Sequence, residues 1–421
     1  MRALEELAKC KGQFDAATAG RAELLLERLA HVRLGDPADL IHLHETALFL
    51  RAYPQTPRVA ELADQILFSF GGRLCGMDPD VFDDPEISGI AGTAVSTNFS
   101  REFAWSLAQR HPGSLEIDWD DFTHPERLGV VLGRLIPEAY EDYAVQPHAD
   151  WRAWLERSGH DVGWLIERVD SAAFELLEIP LRWRLCGVSR SALRLPRRKI
   201  FYHTGPLLKR GDVSIEAEFS ARRIGFTRLA VDRAREILGV IVDASAARYR
   251  ELYGFQHPDE AHIDHADLGR GVEIYFFGVR RARRLPVHEY HCGMYFKNGV
   301  PIGYVETLSR DRRTEIGFNL YYTFREGETA WLYARIMKLL RERLRAASFS
   351  IDPYQIGHEN EEAIASGAFW FYYKLGFRPS DPVVAKLAAQ EAGKIAAKPG
   401  YRSSAAMLRR LAVSPLLYLT R

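Results

Sequence analysis

Cysteine is scarce in this chain: four in 421 residues, at Cys10, Cys75, Cys186 and Cys292. No two are close enough to form a CxxC knuckle and nothing resembles a disulfide framework, so a reducing compartment is expected. Long apolar runs are missing too, none approaching the roughly 18 residues needed to cross a bilayer. The start, Met1-Arg2-Ala3-Leu4-Glu5-Glu6-Leu7, is charged and amphipathic rather than an apolar secretion signal. A soluble, cytoplasmic protein without a membrane partner is expected. Net charge is also absent, with 56 Lys and Arg against 56 Asp and Glu, which argues against a whole-protein nucleic-acid binder. No repeat period is visible.

What is present is core-forming material. The chain is 47% hydrophobic and 27% charged, a balance that excludes disordered and collagen-like classes. Its length exceeds one ordinary domain of about 100–200 residues, so two are expected. The charge divides the same way. Residues 1–180 hold 16 Lys and Arg against 31 Asp and Glu, a net of −15, and residues 181–421 carry the complementary +15. Three readings are open: the acidic half docks on the basic half, the basic half meets an anionic ligand, or the two are simply solvated differently.

Residues 1–180 read as a mainly α-helical domain. Apolar stripes run through Leu24, Leu25, Leu26, Leu29 and Ala30, and through Ala60, Leu62, Ile66 and Leu67. Further helices are expected near 101–110, 137–143, 151–157 and 162–177, with one short strand at 115–119. Ser88-Gly89-Ile90-Ala91-Gly92-Thr93 could cradle a phosphate ahead of a helix, but it lacks a Lys and reads more simply as a loop. Residues 181–211 form a basic connector holding Arg182, Arg184, Arg194, Arg197, Arg198, Lys199, Lys209 and Arg210, broken by Pro196 and Pro206. The second domain is placed at 212–421, opening with a helical stretch over 227–253.

From Val272 the period changes. Strands are expected at 272–279, 290–297, 301–308 and 315–324, with Asn298-Gly299 a strong two-residue hairpin signal. A helix over 330–346, a short strand near 348–352 and a helix through 369–375 follow. Helices at 381–394 and 403–411 form a C-terminal extension. This order implies an α+β fold, a mixed sheet flanked by helices.

Over roughly residues 272–378 the chain resembles the GNAT superfamily of acyl-CoA-dependent N-acyltransferases. Ala368, Phe371, Tyr372, Lys374, Gly376 and Phe377 look like that family's helix-end motif. A degenerate pyrophosphate loop, Arg325-Glu326-Gly327-Glu328-Thr329-Ala330, follows the fourth strand. The resemblance implies a GNAT-like sheet and acyl-CoA as co-substrate. Phosphates would be held near Arg325, Gly327, Thr329 and Ala330, where a helix N-terminus favours anions. Asn360, with Ala363, offers one alignment to the family's Asn. Glu326 and Glu328 depart from the pattern by adding acids at this loop, where they also serve as ordinary partners of the helix dipole.

Strand alternation sets Glu315, Gly317, Asn319 and Tyr321 on one face of the fourth strand. Polar residues in mid-sheet need a cavity or partners. The resemblance implies Glu315 as general base, with Glu306 second, and Tyr372 as general acid by motif position. A solvated Glu and an aromatic core member are the competing readings. The loop 352–360 supplies Gln355 and His358 as substrate-contact candidates, alongside Asn319 and Tyr321. His257, His262 and His265 lie within an acidic stretch, but no HExxH-type signature accompanies them and no metal is expected. Arg280-Arg281-Ala282-Arg283-Arg284 reads as a solvated basic turn, a patch for the acidic half or a phosphate contact.

The expected activity is direct transfer of an acyl group from a thioester donor to an amine, on a small molecule or a protein or peptide. An aminoacyl-tRNA donor on the same fold, and a non-catalytic GNAT-like ligand- or protein-binding module, are the alternatives.

Overall fold

The computed structural model describes residues 2–136, 142, 149–159, 161–197 and 199–420. The helix expected over 137–143 and the connector's Arg198 fall largely or wholly outside the described residues. The described chain is mixed α/β, and it divides into two compact units that exchange segments. One comprises 1–205, 230–261 and the short stretch 297–301; the other comprises 206–229, 262–296 and 302–421.

Helices in the first unit begin where short polar side chains satisfy free amides. Asp15 accepts from the Thr18 amide at 2.9 Å before Ala16–His31, and Thr56 accepts from Val59 before Pro57–Phe68. Pro57, like Pro37 at the start of Pro37–Ala52, sits in the first turn, where no amide is needed. Three short strands, β1 (Ala94–Thr97), β2 (Leu115–Ile117) and β3 (Leu181–Arg184), form a sheet in the order β1-β3-β2. The basic composition of residues 181–184 suggested a connector, yet Leu181 and Trp183 are buried while Arg182 and Arg184 face outward, a period of two. The Ser88–Thr93 segment leads into β1 rather than a helix. Gly89 has φ +85°, and a Cβ there would lie 2.3 Å from the Ala247 carbonyl oxygen, so the loop is closed by packing.

The helix Val231–Ala246, expected in the second domain, belongs to the first unit. Its buried Asp243 accepts from Arg110 and from His111 Nε2, the latter at 3.0 Å. The connector's Arg182, Arg184, Arg194 and Arg197 also stay with this unit, while Lys209 and Arg210 go to the other. The first unit therefore carries 28 Lys and Arg against 37 Asp and Glu, and the other carries 28 against 19. The separation falls from 15 to 9 charges of each sign, which weakens the case for docking by bulk charge.

The second unit is built on a nine-stranded sheet: β4 (Phe226–Arg228), β5 (Asp264–Gly269), β6 (Val272–Gly278), β7 (Glu289–Lys297), β8 (Val300–Arg310), β9 (Arg313–Leu320), β10 (Ser348–Ile351), β11 (Arg378–Pro379) and β12 (Leu416–Leu419). Their order is β11-β12-β10-β9-β8-β7-β6-β5-β4. The β7–β8 turn has φ +50° at Asn298 and +84° at Gly299, the conformation that Asn-Gly favours in tight hairpins. β8 and β9 pair antiparallel along their lengths. β9 and β10 run parallel but stay in register only from Arg313–Ser348 to Glu315–Ser350. β9 thus continues for five residues beyond its partner.

Thr329–Leu344 is the long helix after β9, with Tyr333, Ile336, Met337 and Leu340 fully buried. The fourth strand ends earlier than expected, at Leu320, because Tyr322–Phe324 turns into a 3-10 segment. The C-terminal helices are Pro382–Ala397 and Ala405–Leu411, but β11 and β12 bracket them and β12 inserts between β10 and β11.

Candidate active site

A cavity of about 400 Å³ opens on β8, β9 and the loop after β10. Register builds its floor: Tyr304, Glu306 and Leu308 stand opposite Asn319, Gly317 and Glu315, so side chains of both strands project to one side. Four sequence-predicted residues line it together, namely Glu306, Glu315, Asn319 and Gln355. Tyr290, Tyr304, Phe318, Asp352 and Tyr354 join them. The β8 members were within reach of the same alternation that placed the β9 ones. Tyr290 was not, because it meets Glu306 from a strand sixteen residues away.

Each carboxylate sits differently. Glu306 accepts from the Tyr290 hydroxyl at 2.9 Å, in space left by Gly317, where a Cβ would come within 2.8 Å of Glu306 Cγ. Asp352 accepts from the Tyr354 amide at 2.8 Å and starts the turn Pro353–Ile356. Glu315 is half-buried; burial, then the Asp352 charge, lifts its carboxyl above the ordinary 4.5, with Arg313 and His288 opposing. A carboxylate with raised proton affinity, facing a cavity, is the form a general base takes.

Gln355 reaches the strand itself. Its side-chain nitrogen donates to the Ile316 carbonyl at 2.9 Å, and its oxygen accepts from the Phe318 amide at 3.4 Å. These groups lie just past the last parallel pair, on the length of β9 that β10 leaves behind.

Other predicted residues lie elsewhere. Tyr372 is buried among Tyr333, Phe371 and Phe377, with ring centroids 5.1–5.9 Å away. Burial pushes its phenol well above the usual 10, so it stays protonated throughout the physiological range. It connects to the cavity through Tyr333, whose ring meets Phe318 at 5.0 Å. Tyr321 is buried and packs edge-on against Tyr304 at 6.2 Å. His358 is exposed, and Asn360 caps the helix Glu361–Ser366 by accepting from the Ala363 amide at 3.1 Å.

At the loop before Thr329–Leu344, Arg325 pairs with Glu362 at 2.6 Å and the Gly327 amide is spent on the Phe324 carbonyl at 2.9 Å. Thr329 donates to the Arg325 carbonyl, and Ala330 is buried. Glu328, 2% exposed, is held by Arg270 Nη2 at 2.5 Å and Nε at 2.8 Å and also accepts from the Leu208 amide. That acid is therefore neutralised within the fold rather than facing outward, whereas Glu326 is exposed.

The three histidines of the acidic stretch part company. His257 is buried in the first unit, and His265 lies on β5, 3.0 Å from Glu273. Among the described residues, no group of three or more His, Cys, Asp or Glu is placed to hold a metal. No helix among them is long and apolar enough to cross a membrane. A second cavity, about 470 Å³ in the first unit, holds charges that answer one another: Arg182 with Asp118 at 2.7 Å, and Arg152 with Glu156 at 3.0 Å.

No protein-family model, no curated protein and no solved structure matches this chain.

Proposed function

We propose that the second unit moves an acyl group from a thioester donor to an amine, with Glu315 as the base. The observation that carries this reading is the coincidence of a proton-hungry carboxylate, a cavity, and a strand edge that opens at Glu315 because β10 stops pairing there. The resemblance to the GNAT superfamily supports it. An extended donor arm can pair with such an edge much as another strand would.

The chemistry is direct. The bound ammonium gives a proton to Glu315, the freed nitrogen attacks the thioester carbonyl carbon, the C–S bond breaks as the amide forms, and the second proton lost from nitrogen goes to solvent. The resemblance assigns the proton that returns to the thiolate to Tyr372. The walls support a cationic amine as acceptor: Glu306, Glu315 and Asp352 line the cavity, and no Lys, Arg or His is among its described lining residues. Such a site draws a cationic amine in and holds it beside tyrosine rings.

Acetyl-CoA and longer acyl-CoAs test the donor. Saturating donor at a hundredfold excess over its dissociation constant should raise stability by about 2.7 kcal/mol, read as a thermal shift. No shift with any of them would sink the reading.

Gly317 tests the acceptor side. In Gly317→Ala the new methyl meets Glu306 Cγ and forces that side chain off the Tyr290 hydroxyl. The KM for the amine should rise about tenfold while kcat changes less, because uniform binding is what is lost. An unchanged KM would free Glu306 of any acceptor role.

A further inference from the structure

A parallel strand partner offers its neighbour one peptide N–H and one C=O, bridging residues on either side of the one it faces. The Gln355 carboxamide does the same to β9: it donates to the Ile316 carbonyl and accepts from the Phe318 amide, flanking Gly317. The backbone of β10 makes its last pair with Glu315, two residues earlier. A side chain thus continues the ladder where the main chain has left it. The turn Pro353–Ile356, started by Asp352 and tied by the Gln355 amide to the Asp352 carbonyl at 3.1 Å, holds the carboxamide in place.

We infer that Gln355 is an internal stand-in for an amide of the donor's extended arm, and that the donor docks on β9 by displacing it. This rests on the acyl-transfer reading above. An amide is the ligand chemistry that fits, since it alone returns both a donor to Ile316 and an acceptor to Phe318 without leaving either half-buried group unmet. The stand-in keeps the strand edge satisfied when no donor is bound, as an open edge otherwise invites wrong partners. It also makes occupancy competitive: every donor that binds must first release two hydrogen bonds.

The test is calorimetric titration of the full-length protein and its Gln355→Ala variant with two probes. These are acetyl-CoA and S-acetylpantetheine, which carries the arm and its amides without the nucleotide. Removing the competitor should tighten both probes by about fivefold, the net worth of roughly one hydrogen bond. Thermal melts check that the variant is folded. Affinity that is unchanged or weakened overturns the inference, as does a gain confined to acetyl-CoA, which would place the effect at the nucleotide end. If neither protein binds either probe, the acyl-transfer reading itself falls.

Discussion

Glu315→Gln is expected to lower kcat by about 10²–10⁴-fold, the usual contribution of a positioned general base, with little change in the KM of the amine. Glutamine keeps the shape and the polarity of the side chain but cannot take a proton. The pH dependence gives a second signature. Glu315's carboxyl is lifted above 4.5 by burial and by Asp352, so the acid limb of the wild-type rate profile should lie above the ordinary carboxylate range and should vanish in the variant. Stability carries the opposite sign. A carboxyl that binds its proton more tightly folded than unfolded costs stability once it ionises. The variant should therefore melt higher than the wild type at pH 7, and the difference should shrink as pH falls from the raised folded value to about 4.5, below which the carboxyl is neutral folded and unfolded alike. A variant that retains full transfer activity would move the role to another group, with Glu306 the next candidate on geometry.

The elements that positioned this site were legible because their signals are local. Asn298-Gly299 marks a tight hairpin by its own conformational preference, and alternation along β9 put Glu315, Gly317 and Asn319 on one face before any packing was known. What stayed hidden depends on distant partners. β5 carries no apolar alternation at its start, where Asp264 and His265 stand, yet Asp264 is 5% exposed, answered by Arg228 at 2.7 Å and Arg343 at 2.8 Å. β12 is four residues long and finds its neighbours β10 and β11 well back along the chain. The helix Val231–Ala246 has an ordinary amphipathic pattern, but which unit it joins is decided by Asp243 meeting residues more than 130 positions away. Gln355 was readable as a polar residue beyond a strand end; that its carboxamide copies a peptide group was not, since this needs the register of β9 against β10.

Glu328 makes the same point about acids near a helix start, and it yields the largest stability effect. In sequence it looked like a charge set against a phosphate; in the fold it is buried under Arg270, which reaches it from the turn between β5 and β6. Arg270→Leu should leave that carboxylate buried with its strongest partner gone, at a cost of about 3 kcal/mol, the low end for a broken buried pair because Arg270 itself still touches solvent. For a unit of this size the loss corresponds to a fall of roughly 6–12 °C in Tm. The double variant Arg270→Leu, Glu328→Gln separates the penalty from the pair's own worth. Glutamine carries no charge to strand and can still accept from the Leu208 amide, so much of the lost Tm should return. If the double variant is no more stable than Arg270→Leu alone, the damage is lost packing of the Arg270 stem over Trp331, 6.0 Å from its guanidinium, rather than an orphaned charge. Recovery would instead identify Arg270 as the group that makes an acid tolerable at this helix start.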